Sequence, residues 1–417
     1  MEPEQSTVPG DRLLESGAAA PQCLPEMAQS IFEQFPIDEL LHQYTRDIAG
    51  QMHGWIASDR SYYSRKVLPL ASSRPVLRLA FAAVAARRAE IDFGMTDFPD
   101  SARDMVVSAI TDCVNSITSH PEATLELSKE LDLETAQWML ASMLALCNYE
   151  MSHSGATAAE YHRKALRALT NVLWTTEWCH DELLVYLRNR VSVYDVFRCT
   201  TLFDLNDIEG AILPETHEDN DEDGMYSAFI SLIHRVTILS RQLGMPAQSS
   251  NNPDYESNPS FSDLRGDFEQ ARAETLMAAG RLDYGLSQVR IRDFVRMVDM
   301  HHNAGILYSI RCLSFQEPLR REVAVSDLFD QIHSIEDLDP CYLDLAWPVF
   351  IAGTESYGDA ERQATVSSLY EAMSNATKLK QYAEVMAFQK TFWAGSRPDW
   401  RELAREWEIT KRHVLLY

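Results

Sequence analysis

Apolar side chains along this chain recur mostly at intervals of three and four residues, the repeat of a helix that buries one face. The clearest case is 133–150, where Ala136, Met139, Leu140, Met143, Leu144 and Cys147 keep to one stripe. Residues 157–174 repeat the pattern through Ala158, Tyr161, Ala165, Leu166, Leu169 and Leu173, with Gly155 between the two runs. Two periodic runs separated by so short a break predict an antiparallel helix hairpin. Upstream, Pro75 to Glu90 carries Leu77, Leu79, Ala80, Phe81 and Val84 and reads as a mostly buried helix. Asp100 precedes a run through Met105, Val106, Ala109, Ile110, Cys113 and Ile117. Its carboxylate can accept a hydrogen bond from a free amide of the first turn, so Asp100 is the expected N-cap. Ile31, Phe32, Phe35, Leu40, Leu41 and Tyr44 also fall at helical spacing, interrupted by Pro36. Further helices are expected at about 181–203, 225–243, 263–281, 287–315, 359–376 and 379–393. A last one near 400–411 has Asp399 and Glu402 at the spacing of a capping box.

No stretch sustains the alternation of a strand, and no Asn-Gly or Asp-Gly pair sits between β-branched runs. No internal period marks a repeat array. The expected fold is therefore all-α: an irregular multi-helix domain of antiparallel helix hairpins with two long polar loops. The expected layout is a disordered segment over 1–30, which holds Pro3, Pro9, Pro21 and Pro25, and one helical domain over 31–417. The two loops, both expected to be mobile, are an acidic one at 204–223 and a polar one at 244–263. The acidic loop holds nine Asp or Glu residues and neither Lys nor Arg.

Composition sharpens the picture. With 46% apolar residues over 417 positions, the chain can bury a sizeable core. It has 37 basic against 62 acidic side chains, a formal net charge of −25, which repels a phosphate backbone unless basic groups cluster. The densest basic runs are Arg87-Arg88, Arg320-Arg321 and Lys411-Arg412-His413, each short enough to be a solvated helix face. Direct DNA binding by this chain is not expected, and no polybasic import signal is present. Cysteines stand at 23, 113, 147, 179, 199, 312 and 341, with no CxxC unit. That spread suits neither a zinc ribbon nor a redox pair and fits a reducing compartment. Cys113 and Cys147 read as buried small hydrophobes. The first residues lack the pattern of a secretory leader, and no run approaches eighteen apolar residues.

Candidate chemistry is sparse. Asp219, Asp221, Asp223 and Gly224 match the first half of a calcium-binding EF-hand loop, but the twelfth position, which should be a bidentate Glu, is Ile230. A solvated acidic linker is the simpler reading. A helical metal-dependent enzyme of the terpene cyclase kind needs carboxylates about a turn apart on a cavity-facing helix. Asp219 to Asp223 lie instead in a polar segment. His301 and His302 are adjacent on a helix and point about 100° apart, so they cannot share a metal. His153 and His162 flank the hairpin turn and are expected to cap or hydrogen-bond. No dinucleotide, P-loop or serine-elbow motif occurs. The expectation is no catalytic residue, no cofactor and no metal site. Trp138, Trp174, Trp178, Trp347, Trp393, Trp400 and Trp407 read as core, with a ligand pocket between helices as the sharper alternative.

A phrase near the end carries a family resemblance. It runs Leu345-Ala346-Trp347-Pro348-Val349-Phe350-Ile351-Ala352-Gly353-Thr354-Glu355 and is followed by Arg362, Phe392-Trp393 and Asp399-Trp400-Arg401. Upstream stand Tyr62-Tyr63, Val67-Leu68-Pro69-Leu70-Ala71 and Pro75-Val76-Leu77-Arg78. In the middle are Asn148-Tyr149-Glu150, Gly155, Tyr161-His162-Arg163-Lys164-Ala165-Leu166 and Tyr194-Asp195-Val196-Phe197. In this order, over roughly 31–417, they resemble the fungal-specific transcription factor domain. That is the helical regulatory region usually found behind a binuclear zinc-cluster DNA reader. The resemblance implies a nuclear all-α regulatory domain that controls activity, binds effectors or contacts partners. Members carry six clustered cysteines upstream, whereas here only Cys23 precedes residue 100. The zinc-dependent DNA-binding step therefore carries over to no residue of this sequence.

The expected function is a fungal transcriptional regulator of a biosynthetic or metabolic gene set. It would act through a DNA-bound factor or co-regulator, or a zinc-cluster exon would lie upstream of Met1. A homo- or heterodimer and a small-molecule effector are further expectations from the family. The competing readings are the cyclase-like enzyme and a helical scaffold outside transcription.

Overall fold

The computed structural model describes residues 35–49, 62–88, 97–118, 132–153, 155–215, 226–243, 259–281, 286–339, 341–414 and 416. The segment 1–30, the acidic stretch 216–225 and the polar stretch 244–258 lie outside these residues. Among the described residues there are sixteen α-helices and no strand, so the chain is all-α as its periodicity predicts.

The first layer is built on an alanine-rich helix. Helix α1 (Ile37–Gln43) and a short α2 (Leu68–Ser73) lead into α3 (Pro75–Arg88), and α3 packs against α4 (Phe98–Thr118) and α5 (Leu133–His153). Small side chains let α3 be enclosed almost all round: Leu79 through Ala85 are each at most 1% exposed. Two segments of wider, π-type winding, Tyr44–Ala49 and Tyr63–Val67, bracket this layer. The bent pair Tyr63–Ser73 and Pro75–Arg88 is apolar enough for a membrane span only as two pieces 114° apart. Its second piece is this enclosed core helix, and no single described helix is long and apolar enough to cross a membrane.

The predicted hairpin is present. Helix α5 turns at Gly155 into α6 (Ala156–Leu173), and the two pack side by side. Gly155 takes φ +79°, and a Cβ there would collide with the Glu384 carboxylate. That carboxylate accepts the free amide of Ala156 at 2.9 Å, which caps the new helix from a distant part of the chain. Helix α7 (Glu182–Cys199) then lies against α5 and α6, and is followed by the short α8 (Leu205–Glu209) and by α9 (Ser227–Leu243).

The second layer contains α10 (Phe261–Arg281), α11 (Gln288–Cys312), α12 (Pro318–Ser334), α13 (Ala346–Thr354), α14 (Ala360–Thr377), α15 (Gln381–Ala394) and α16 (Trp400–Ile409). Every residue of α13 is buried, at its contacts with α11, α14 and α15. Pro348 sits in its first turn, where no intrahelical amide is needed. The ring of Trp347 stacks on Phe197 of α7 at 5.5 Å and meets the edge of Tyr308 at 5.8 Å, which joins the two layers. Gln389 donates to the Phe350 carbonyl at 2.9 Å, and Trp393 to the Gly353 carbonyl at 2.8 Å. Arg401 donates to the Cys312 carbonyl at 2.9 Å. The most distinctive phrase of the sequence is thus an interlayer clamp.

Several expectations need correction. Helix α4 begins at Phe98, so Asp100 lies inside its first turn rather than at the cap, and receives Arg87 Nη2 at 2.7 Å and the Tyr149 hydroxyl. Asp399 does cap α16, but Glu402 pairs with Arg397 at 2.9 Å. Helices α12 and α13 stand where no helix was expected. The first part of the acidic loop is not mobile linker: Asp204 caps α8, and residues 204–215 pack on α6 and α7 through Asp207, Ile212 and Glu215.

Candidate functional site

Among the described residues, the densest cluster of charged side chains lies under the hairpin. The expected apolar face of α6 is turned outward in part: Tyr161 is 74% exposed and Ala165 is exposed. The inward face carries Glu160, Arg163, Leu166 and Thr170, all buried, with Arg167 at its margin. Asp195, near the C-terminal end of α7 and fully buried, accepts Arg163 Nη1, Arg167 Nε at 2.8 Å, Arg167 Nη2 at 2.7 Å and the backbone amide of Ile212 at 2.7 Å. Asp207 of α8 accepts Arg167 Nη1 at 2.6 Å and Arg163 Nη2 at 3.2 Å. Glu160 accepts Arg163 at 2.7 and 2.9 Å and Arg198 Nε at 3.2 Å.

Three guanidiniums and three carboxylates therefore balance. Burial by itself would raise the Glu160 and Asp207 carboxyls. The Arg163 hydrogen bond and the Arg198 charge outweigh it at Glu160, and the Arg163 and Arg167 charges outweigh it at Asp207, so both are held below the usual carboxylate range. Arg163 is held above its usual value because the Glu160 hydrogen bond and the Asp195 charge overcome its burial. Such a network is satisfied internally and presents no free group to a substrate.

The hairpin histidines go to separate carboxylates. His162 Nε2 lies 3.3 Å from Glu150 Oε1, and His153 Nε2 lies 3.7 Å from Asp100 Oδ1. Glu150, 1% exposed, also accepts Arg103 Nε at 2.9 Å. His301 and His302 diverge as predicted. His301 is buried with Nδ1 3.0 Å from the Met297 carbonyl, and burial pulls its pKa down to about 4; His302 Nε2 faces Glu269 at 4.0 Å. Among the described residues no group of three His, Cys, Asp or Glu could hold a metal ion. Burial pushes the thiols of Cys147 and Cys199 up to about 12, so both are protonated at neutral pH.

A tyrosine-lined cavity lies where the two π-type segments meet α5 and α7. Tyr44, Tyr63, Tyr186, Tyr194, Asn148 and Arg190 are among its lining residues, and its volume is about 20 Å³. Two of these lining residues bond each other directly, the Tyr44 and Tyr63 hydroxyls lying 2.5 Å apart. Asn148 directs its amide NH₂ to the Leu144 carbonyl at 3.2 Å and to the Tyr194 hydroxyl at 3.4 Å. That volume matches one water molecule and falls far short of the roughly 300–1,000 Å³ of a small-molecule pocket. The tryptophans are elsewhere: Trp138, Trp347, Trp400 and Trp407 are core residues, and Trp174, Trp178 and Trp393 pack on the core's edge. Sequence reasoning missed Asp195 and Asp207 as network members. The signal was a charged i, i+3, i+7 set on α6, Glu160, Arg163 and Arg167, with no nearby polar partner in sequence.

No curated protein and no solved structure matches the chain. One family does: the fungal specific transcription factor domain matches residues 39–411, which takes in both helical layers, the charge network and the interlayer clamp. The chain belongs to the fungal specific transcription factor domain family.

Proposed function

We propose that this chain regulates transcription of a biosynthetic or metabolic gene set from the nucleus, and that it does so through protein partners rather than by gripping DNA itself. One observation carries the second half of that reading. Each short basic run in the sequence has members engaged within the fold. Arg87 pairs with Asp100 at 2.7 Å, and Arg88 is buried against Ser152 at 3.2 Å. Arg320 pairs with Glu317 at 3.2 Å, and Arg321 with Glu355. Arg412 lies 3.6 Å over the Trp407 ring, and His413 accepts from Arg198 at 2.8 Å. Against 62 acidic side chains, these leave little to neutralise phosphates.

The same reading makes the chain a regulatory body rather than an enzyme. His162, His234 and His301 are hydrogen-bonded within the fold, and the buried thiols of Cys147 and Cys199 are protonated. The helical body over 31–417 acts as one regulatory domain, preceded by the polar segment 1–30. A gel-shift titration of the purified chain against promoter DNA at about 0.15 M salt tests the DNA arm, since specific binders there reach roughly 10⁻⁸–10⁻¹¹ M. No competitor-resistant shift is expected. A tight, sequence-specific shift would overturn the reading.

A further inference from the structure

The segment that follows α16 meets the charge network through the imidazole of His413. The chain reverses at Lys411, which takes φ 57°, and returns to α7. There Arg198, 1% exposed, donates Nη2 to His413 Nδ1 at 2.8 Å. A guanidinium has only donors, so Nδ1 must carry its lone pair and the imidazole must be neutral, with its proton on Nε2. Beside this contact Arg198 Nη1 donates to Thr201 Oγ1 at 2.7 Å, and Thr201 Oγ1 donates to the Val414 carbonyl at 3.3 Å. Val414 is 2% exposed and Leu416 fully buried. Glu408, at the end of α16, accepts the Phe203 amide at 2.9 Å from the same α7–α8 corner. The charged groups around the imidazole are Arg198 from α7 and Glu160, Lys164 and Arg163 from α6, three cations against one carboxylate.

We propose that His413 is a proton-operated latch, which keeps Val414 and Leu416 in their buried seats when neutral and releases them when protonated. A proton on Nδ1 removes the acceptor that faces Arg198 Nη2 among the described residues and sets a new cation beside an existing one. The Val414 and Leu416 side chains then leave their seats, and the Arg198 corner opens to solvent. Burial and then the Arg198 charge lower the His413 pKa below its usual 6.5. A histidine favoured as neutral in the closed form gives full closure above that value and loses it as the pH falls below it. The device lies outside the family's DNA-linked role and can be tested on the purified chain.

Hydrogen exchange read by mass spectrometry, at pH about 7.5 and about 5.5 and corrected for intrinsic rates, reports the latch directly. With one linked proton, protection of the peptide that covers His413 and Val414 falls up to about tenfold per pH unit. Peptides from α13 keep their protection throughout. His413→Asn, which offers a non-titrating acceptor, loses the pH dependence of that peptide, whether it is held closed or open. His413→Lys leaves it exposed at both values. Equal protection of the wild-type peptide at both pH values, an unchanged pH dependence in His413→Asn, or parallel loss at α13 would each overturn the proposal.

Discussion

Replacing Asp195 by Asn is the sharpest probe of the charge network. The side chain keeps its shape and loses its charge. In the wild-type chain that carboxylate accepts three guanidinium N–H groups and one backbone amide. Asn can retain the Ile212 amide and one guanidinium contact, and it leaves Arg163, fully buried, short of one of its counter-charges. Breaking one partner of a buried ionic cluster costs about 3–5 kcal/mol. With an unfolding entropy of roughly 2.1 cal/mol/K per residue over 417 residues, that corresponds to a fall in Tm of about 3–6 °C. Thermal unfolding followed by tryptophan fluorescence at neutral pH measures it. Because Asp195 is fully buried, raising the salt should not restore the loss. A change under about 1 kcal/mol, the value of an exposed pair, would refute the claim that the network is a desolvated structural unit.

Further outcomes follow from the same geometry. Gly353→Ala places a Cβ 2.7 Å from the Gln389 amide; it should cost about 1–3 kcal/mol in denaturant unfolding, and Gln389→Ala in the same chain should recover part of that. Trp347→Ala removes the fully buried ring stacked on Phe197 and should cost about 3–5 kcal/mol, read as loss of soluble protein or of Tm. Asp399→Ala removes the α16 cap and should cost about 1 kcal/mol. Glu160 and Asp207 sit below their ordinary values of 4.5 and 3.8, so their contribution is complete above those values and is lost as pH falls through the depressed folded ones. Acid titration of Asp207→Asn should show a flatter stability loss in that window than wild type.

Much of the fold was legible because its helices carry local signals. The stripe from Ala136 to Cys147, the break at Gly155 and the cap at Asp399 each act within one or two turns. Helix α12 was missed although Ala324, Val325, Leu328, Phe329 and Ile332 bury one face. Pro318 marks its first turn, a position where proline starts a helix rather than stops one. Helix α13 hid for another reason: it is apolar all round, so no period distinguishes it. The face of α6 was misjudged because apolarity alone assigned it. Its inward side is decided by Asp195 and Asp207, which lie 32 and 44 residues beyond Arg163. Only the tertiary fold brings those charges together, and the same pairing turns part of the acidic loop into packed structure.

The central claim, that this body acts on transcription through other proteins, is most directly tested by tethering the chain to a heterologous DNA-binding domain upstream of a reporter in a fungal host. A clear change in reporter output is expected, and it persists in a variant with Arg87, Arg320 and Arg321 replaced by Gln. A folded, nuclear fusion that leaves the reporter at the level of the DNA-binding domain alone would contradict it.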